Sequence, residues 1–231
     1  VRKAIDASLV AEAQQHVQLP AWIPGSYLVR EFAKNLQNLR ANQSGRAVEL
    51  QQLTKARWQV DCTAHAPLEL QYEVYAFDNS VRTAWLDATR GFFNGTSLFL
   101  MVEGQQDKTH TVDLVACTDS PQWKVATGLP PVRTDKRGFG RYSASNYDML
   151  ADCPVELGDF WEGRFQACGI PHRFVVAGAP PSFDGTQLLK DTQTICEEGI
   201  RFWHGKNYKN NSTSRTTGGG KGPIPFQNYL F

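Results

Sequence analysis

Residues 68–101 read LELQYEVYAFDNSVRTAWLDATRGFFNGTSLFLM, and the fold turns on how this stretch is parsed. It opens as an alternating strand. Leu68, Leu70, Tyr72 and Val74 fall on one face and Glu69, Gln71 and Glu73 on the other, the period of a half-buried β-strand. It closes on an unbroken apolar run, LFLMV at 98–102, which predicts a strand buried on both faces. Between them lie Asp78, Asn79, Ser80, Arg82, Thr83, Asp87, Arg90, Asn94 and Thr96, interleaved with Phe77, Trp85, Phe92 and Phe93. A connection so dense in hydrogen-bonding and aromatic side chains, held between two strands, is either a binding loop or a packed structural crossover.

The 231 residues carry a formal net charge of +1, with 41% hydrophobic and 11% aromatic content. That is enough apolar material for a real core, in one large domain or two smaller ones. Scattered charges leave no electrostatic footprint for nucleic acid or an anionic membrane. No apolar run approaches the ~18–20 residues of a membrane span. The opening VRKAIDASLVAEAQ has neither the apolar core of a signal peptide nor an initiator Met, so a start inside a longer polypeptide is expected. Cys62, Cys117, Cys153, Cys168 and Cys196 are odd in number and contain no C-x-x-C. This favours reduced thiols in a soluble, cytoplasmic protein over a disulfide framework, and no zinc-ligand pairing is present.

Residues 9–19 alternate and predict a strand with one wet face, His16 on it. In LPAWIPGSYLVREFAKN, 19–35, Pro20 and Pro24 forbid ladder pairing, yet Trp22, Ile23, Tyr27, Leu28 and Phe32 predict a loop folded back over a core. Arg30 and Glu31 would pair locally. Short strands at 47–53, 57–62, 111–117 and 122–126, broken by turn signals, follow at the intervals of a β-sandwich, with one helical turn at 147–151. After Gly169-Ile170-Pro171 the period changes. A strand at 172–177 is followed by a capping box, Asp184 with Gln187, and then Leu188, Thr192, Ile195, Gly199 and Trp203 recur at helical spacing. The expectation is a β-rich domain over 1–169 and a strand–helix–strand segment over 170–231. Residues 206–221 are polar and read as a flexible loop, and their GGGK does not satisfy the Walker pattern. The final apolar stretch, 224–231, starts a strand and stops, which predicts a chain that continues.

The sequence contains no H-E-x-x-H, G-x-S-x-G or G-x-G-x-x-G. His65, His110, His172 and His204 are isolated and read as structural. Asn42-Gln43-Ser44, Asn94-Gly95-Thr96 and the Asn210/Asn211 region match the glycosylation pattern, a motif frequent by chance. Asp78 and Asp87 would serve as an acid/base pair or as braces for Arg82 and Arg90; without a nucleophile or metal, bracing is the better reading.

Four segments, in order and spanning nearly the whole chain, resemble the amino-terminal part of family M61 (glycyl aminopeptidase-like) metallopeptidases. They are LPAWIPGSYLVREFAKN (19–35), VYAFDNSVRTAWLDATRGFFNGTSLFL (74–100), SASNYDMLADCPVELGDF (143–160) and DTQTICEEGIRFW with PFQNYLF (191–231). Residues 206–221 look like an insertion. The resemblance implies a mainly β, sandwich-like amino-terminal domain, then the opening of a thermolysin-like α/β domain, with a PDZ-type domain further on. It implies zinc in the intact parent, bound on an H-E-x-x-H helix with a downstream Glu, and none bound here. It also implies a peptide substrate that meets the rest of the parent, so that this chain carries no catalytic residue. The loop 78–96 is then the expected cleft face. Arg82 would orient a carboxylate or carbonyl, Asp78 or Asp87 would meet an α-ammonium, and Phe92, Phe93 and Asn94 would wall a small pocket. Trp22, Tyr27 and Arg30 would buttress it. The alternatives are a freestanding β-sandwich that binds peptide or carbohydrate, and a purely structural domain.

Overall fold

The computed structural model describes residues 1–23, 25–205 and 226–231. The polar stretch 206–221, expected as a flexible loop, lies outside the described residues. The chain divides into two compact units, Val1–Gly158 and Asp159–Phe231. The first holds β1 (Arg2–Ile5), β2 (Gln14–Gln18), β3 (Leu36–Gln43), β4 (Arg46–Val48), β5 (Leu50–Thr54), β6 (Arg57–Asp61), β7 (Leu68–Val74), β8 (Ala84–Leu86) and β9 (Arg90–Phe93). It continues through the one-turn helix α1 (Gly95–Leu98), β10 (Met101–Val102), β11 (His110–Leu114), β12 (Lys124–Thr127), β13 (Pro131–Thr134), β14 (Gly140–Ala144), α2 (Tyr147–Asp152) and β15 (Val155–Gly158). The second holds β16 (Phe160–Ala167), β17 (Ile170–Ala177), α3 (Gly185–His204) and β18 (Tyr229–Leu230).

The protein is mainly β, as the alternating pattern predicts. In the first unit two antiparallel sheets, ordered β1-β7-β3-β4 and β10-β2-β6-β5, share one core. Strand β7 is its centre: Leu68, Leu70 and Tyr72 are buried while Gln71 and Glu73 face water. They meet Val17, Trp58, Val60 and Val102 from the second sheet. Two further sheets, β11-β14-β13 and β12-β15-β9-β8, enclose a second core around Val125, Tyr142 and Val155, to which α2 adds Tyr147 and Leu150.

The run 98–102 is not a strand buried on both faces. Its first residue ends α1, and only Met101 and Val102 join a sheet, pairing with Gln18 and Val17. The cause is a local cap. The Asn94 side chain accepts from the Thr96 N–H and starts a helical turn. The same segment is then fixed from both cores. The buried Tyr72 hydroxyl donates to the Leu98 carbonyl (2.7 Å) and accepts from the Leu100 N–H (3.3 Å), and the Tyr147 hydroxyl donates to the Phe99 carbonyl (2.6 Å). Burial pushes both phenols well above their ordinary pKa, so they act as neutral donors at every physiological pH.

In the second unit β16 and β17 pair along their whole length, from Phe160↔Ala177 to Ala167↔Ile170, and β18 runs parallel to β17. The expected boundary at 170 therefore falls at the far end of a hairpin; the division precedes β16, because a hairpin strand stays with its partner. The capping box forms as read: the Asp184 carboxylate accepts from the Gln187 N–H at 2.9 Å. The buried face of α3 differs from the expected stripe by about one position. Ile195 and Trp203 are exposed (71% and 61%), while Gly185, Leu189, Cys196 and Ile200 are covered. A Cβ at Gly185 or Gly163 would collide with the Trp161 indole, so the close seating of helix on strand is set by glycine rather than by apolar residues. All five cysteines are free. No helix among the described residues is long and apolar enough to cross a membrane.

Tyr72→Phe leaves the buried Leu98 carbonyl and Leu100 N–H without their partner, and is expected to lower unfolding free energy by about 1–3 kcal/mol, read from the urea midpoint. The turn joining β16 to β17 holds Cys168 (φ 50°) and Gly169 (φ 82°), both left-handed. Asn tolerates that conformation better than Cys, so Cys168→Asn is expected to raise stability by about 0.5–1 kcal/mol in the same assay.

Candidate functional site

The loop that follows β7 is a short β-ribbon. The Asp78 N–H donates to the Ala84 carbonyl (3.1 Å), the Leu86 N–H to the Ala76 carbonyl (2.9 Å), and the Thr83 hydroxyl closes the turn on the Asp78 carbonyl (2.9 Å). Phe77 and Trp85 stack across it with centroids 4.5 Å apart, and Phe77 remains 60% exposed.

Of the expected arginine–aspartate side-chain pairs, neither forms. Arg90 reaches Glu156 on β15 with two hydrogen bonds, Nε to Oε1 at 3.0 Å and Nη2 to Oε2 at 2.9 Å, and a third from Nη1 to the Asn79 side-chain oxygen at 3.3 Å. Asp87 instead holds its own turn. It accepts from the Thr89 hydroxyl and N–H (2.7 Å each), the Arg90 N–H (2.9 Å) and the Trp85 indole (3.1 Å). These donors, the Thr89 hydroxyl foremost, pull its pKa down to about 2. Glu156 goes the other way: burial raises its pKa, opposed by Arg90.

Asn94 is buried, with its carboxamide oxygen spent on the Thr96 N–H and hydroxyl, so Asn94-Gly95-Thr96 is a cap rather than an exposed acceptor. Phe93 packs edge-on to Phe99 (5.7 Å) against the second core. Phe92 is half-buried on β9, opposite Trp85 and Glu156. The Asp78 carboxylate and the Arg82 guanidinium have no partner among the described residues. Of the six cleft candidates, then, Asp78, Arg82 and Phe92 keep side-chain surface to offer, and Asp87, Phe93 and Asn94 are built into the scaffold.

The segment at 20–30 does not fold back over a core along its length. Ile23 and Phe32 are buried, but Trp22, Tyr27, Leu28 and Val29 are exposed, Tyr27 completely. Backbone closure turns the tip outward: the Arg30 N–H donates to the Ala21 carbonyl (2.7 Å), the Trp22 indole to the Ser26 carbonyl (2.7 Å), and Arg30 Nε to the buried Ser26 hydroxyl (3.1 Å). Glu31 pairs with Lys55 at 2.9 Å rather than with Arg30. Trp22 and Arg30 therefore brace this loop itself, while Tyr27 projects from it.

Beside this loop lies a cleft of about 700 Å³, bounded by Pro20, Trp22 and Ile23, by Met101, and by Asp148, Met149 and Asp152 of α2. The helical turn expected at 147–151 is α2, but nothing in its local pattern marks Asp148, Met149 or Asp152 as lining a cleft. Among the described residues no three His, Cys, Asp or Glu side chains converge as a metal site.

Antiparallel sheets around two cores, followed by a hairpin and helix, form the amino-terminal part of an aminopeptidase-like fold. The chain is similar to an aminopeptidase N family protein from Idiomarina loihiensis, with 37% identity and a TM-score of 0.85 over 99% of this chain and 35% of that one. It thus spans about a third of that relative's length. An M1 zinc metallopeptidase from Deinococcus radiodurans bound to a Tyr-Ser-Ala substrate is 12% identical, with a TM-score of 0.48 over 94% of this chain and 48% of that one. Legionella pneumophila aminopeptidase A in complex with aspartic acid is 8% identical, with a TM-score of 0.47 over 95% of this chain and 24% of that one. Such distant likenesses carry no argument here. No curated protein matches the chain. The model of the peptidase M61 N-terminal domain matches residues 3–159, and the chain belongs to that family.

Arg90→Met would strand the Glu156 carboxylate, whose side chain is only 14% exposed. Breaking a pair at this depth is expected to cost about 2 kcal/mol at pH 7. Without Arg90, the folded-state pKa of Glu156 rises further above its unfolded value, so the deficit shrinks as pH falls and the carboxyl protonates. Urea melts at neutral and mildly acidic pH read this directly.

Proposed function

We propose that this chain is the non-catalytic amino-terminal portion of a zinc-dependent aminopeptidase that removes amino-terminal residues from peptides. The observation that carries the reading is 37% identity to an aminopeptidase N family protein across 99% of the chain; the family match over 3–159 agrees with it. Zinc would be held elsewhere in the parent. The described residues offer no convergent ligand set, so no chemical step is routed through them.

On this reading the second unit opens the thermolysin-like zinc domain, with a PDZ-type domain further along the parent. The loop 78–96 is the face this chain offers the substrate. Arg82, whose guanidinium has no partner among the described residues, would hold a peptide carbonyl or carboxylate by charge-assisted hydrogen bonds; Asp78 would meet an α-ammonium; Phe92 would wall the first-residue pocket. Asp87, Phe93 and Asn94 would act only through the rigidity they give that ribbon. Five free cysteines support a reducing compartment, the cytoplasm. The exposed Phe77–Trp85 stack favours a second reading, a sugar- or peptide-binding module.

Aminopeptidase assays on the full-length parent test the roles. Arg82→Ala and Asp78→Asn are each expected to lower kcat/KM about tenfold with zinc content unchanged. Parent-like activity in both variants removes the roles. The 231-residue chain alone is expected to hold no stoichiometric zinc and to hydrolyse nothing. Activity in that chain, or a parent polypeptide without peptidase activity, would overturn the reading.

A further inference from the structure

We propose that the cleft between residues 20–23 and α2 is a docking site for a basic side chain, lysine or arginine, of an extended peptide. Its lining is largely apolar, with Pro20, Ile23, Met101 and Met149 beside the polar Gln18, Thr96 and Asn146. Trp22 forms one lip and is 51% exposed, and since its indole N–H is committed to the Ser26 carbonyl, the ring system is what it presents to a ligand. Asp148 and Asp152 also line it, both exposed, one helical turn apart and so on one face of α2.

Charge complementarity selects the occupant. Among the described residues no Lys, Arg or His lines the cleft. Neither aspartate makes an ion pair or side-chain hydrogen bond among the described residues. Asp148 suits the first turn of a helix, but Asp152 stands in the last turn, where the helix dipole disfavours a carboxylate and no basic residue offsets it. A cation supplied from outside would relieve that conflict. Lysine and arginine have the matching form: a methylene stem to lie along the methionines and Ile23, and a charged head to reach the carboxylates beside an aromatic lip. A volume of about 700 Å³ admits such a side chain with its neighbouring residue.

The test uses peptides blocked at both ends, which are not aminopeptidase substrates, so its outcome is independent of the peptidase reading. Acetyl-Leu-Arg-amide and acetyl-Leu-Lys-amide are titrated calorimetrically into the 231-residue chain, with the uncharged acetyl-Leu-norleucine-amide as control. Both basic peptides are expected to bind about tenfold more tightly than the control, and added salt should weaken them. Asp152→Asn and Asp148→Asn, both at exposed positions and each shown by thermal melting to stay folded, should each cost several-fold in affinity. Equal binding of the norleucine peptide would mean a purely apolar groove. Binding indifferent to both substitutions, or no saturable binding, also overturns the proposal. So does a concentration-dependent dimer that Asp152→Asn disperses, since the occupant would then be a second copy of the chain.

Discussion

Two phenolic hydroxyls, one from each core of the first unit, converge on three consecutive residues. Tyr72 holds the backbone of Leu98 and Leu100, and Tyr147 holds that of Phe99. A buried peptide group without a partner is costly, and this segment leaves α1 too early and enters β10 too late to satisfy itself by secondary structure. The tyrosines supply what the ladder does not. They also tie both cores to one point of the chain, where β9, α1 and β10 pass from one core to the other.

Much of the fold was legible because the relevant patterns are local. The alternation of Leu68, Leu70 and Tyr72 reports a half-buried strand whatever surrounds it. The Asp184–Gln187 box likewise needs only its own four residues. The errors came where distant packing decides. LFLMV has the composition of a buried strand, and only the Asn94 cap and two far-off tyrosines make it a helix end followed by a bridge. The inward face of α3 is chosen by the bulk of Trp161 against Gly163 and Gly185, a steric fit that hydropathy does not register.

In the candidate loop the sequence marks an ordered segment and leaves its side-chain partners unread. The density of polar and aromatic groups between β7 and α1 did mark an ordered ribbon. Yet the partner of Arg90 is Glu156, 66 residues away on a strand that no periodicity announced. Asp87 reads in sequence as a brace for an arginine side chain, and in space it is the hub of its own turn. Tyr27 and Leu28 were read as inward because they are apolar, but the closure of Arg30 on Ala21 turns them to water. Exposure of large apolar side chains at a rigid, closed tip is a binding feature more often than a packing defect.

The strand order has a consequence for biosynthesis. Strand β2 is sandwiched between β6 and β10, and β1 pairs only with β7. The first core is therefore incomplete until Val102 has been translated, 42 residues after Val60, which at cellular elongation rates of ~5–20 residues per second is a delay of roughly 2–8 s. During that interval β2 keeps an open edge, without the backbone partners that Met101 and Val102 bring to Gln18 and Val17. The nascent chain is thus a natural client for holding chaperones at the ribosome, and its yield on expression should depend on the tempo of synthesis as much as on the final stability of the sandwich.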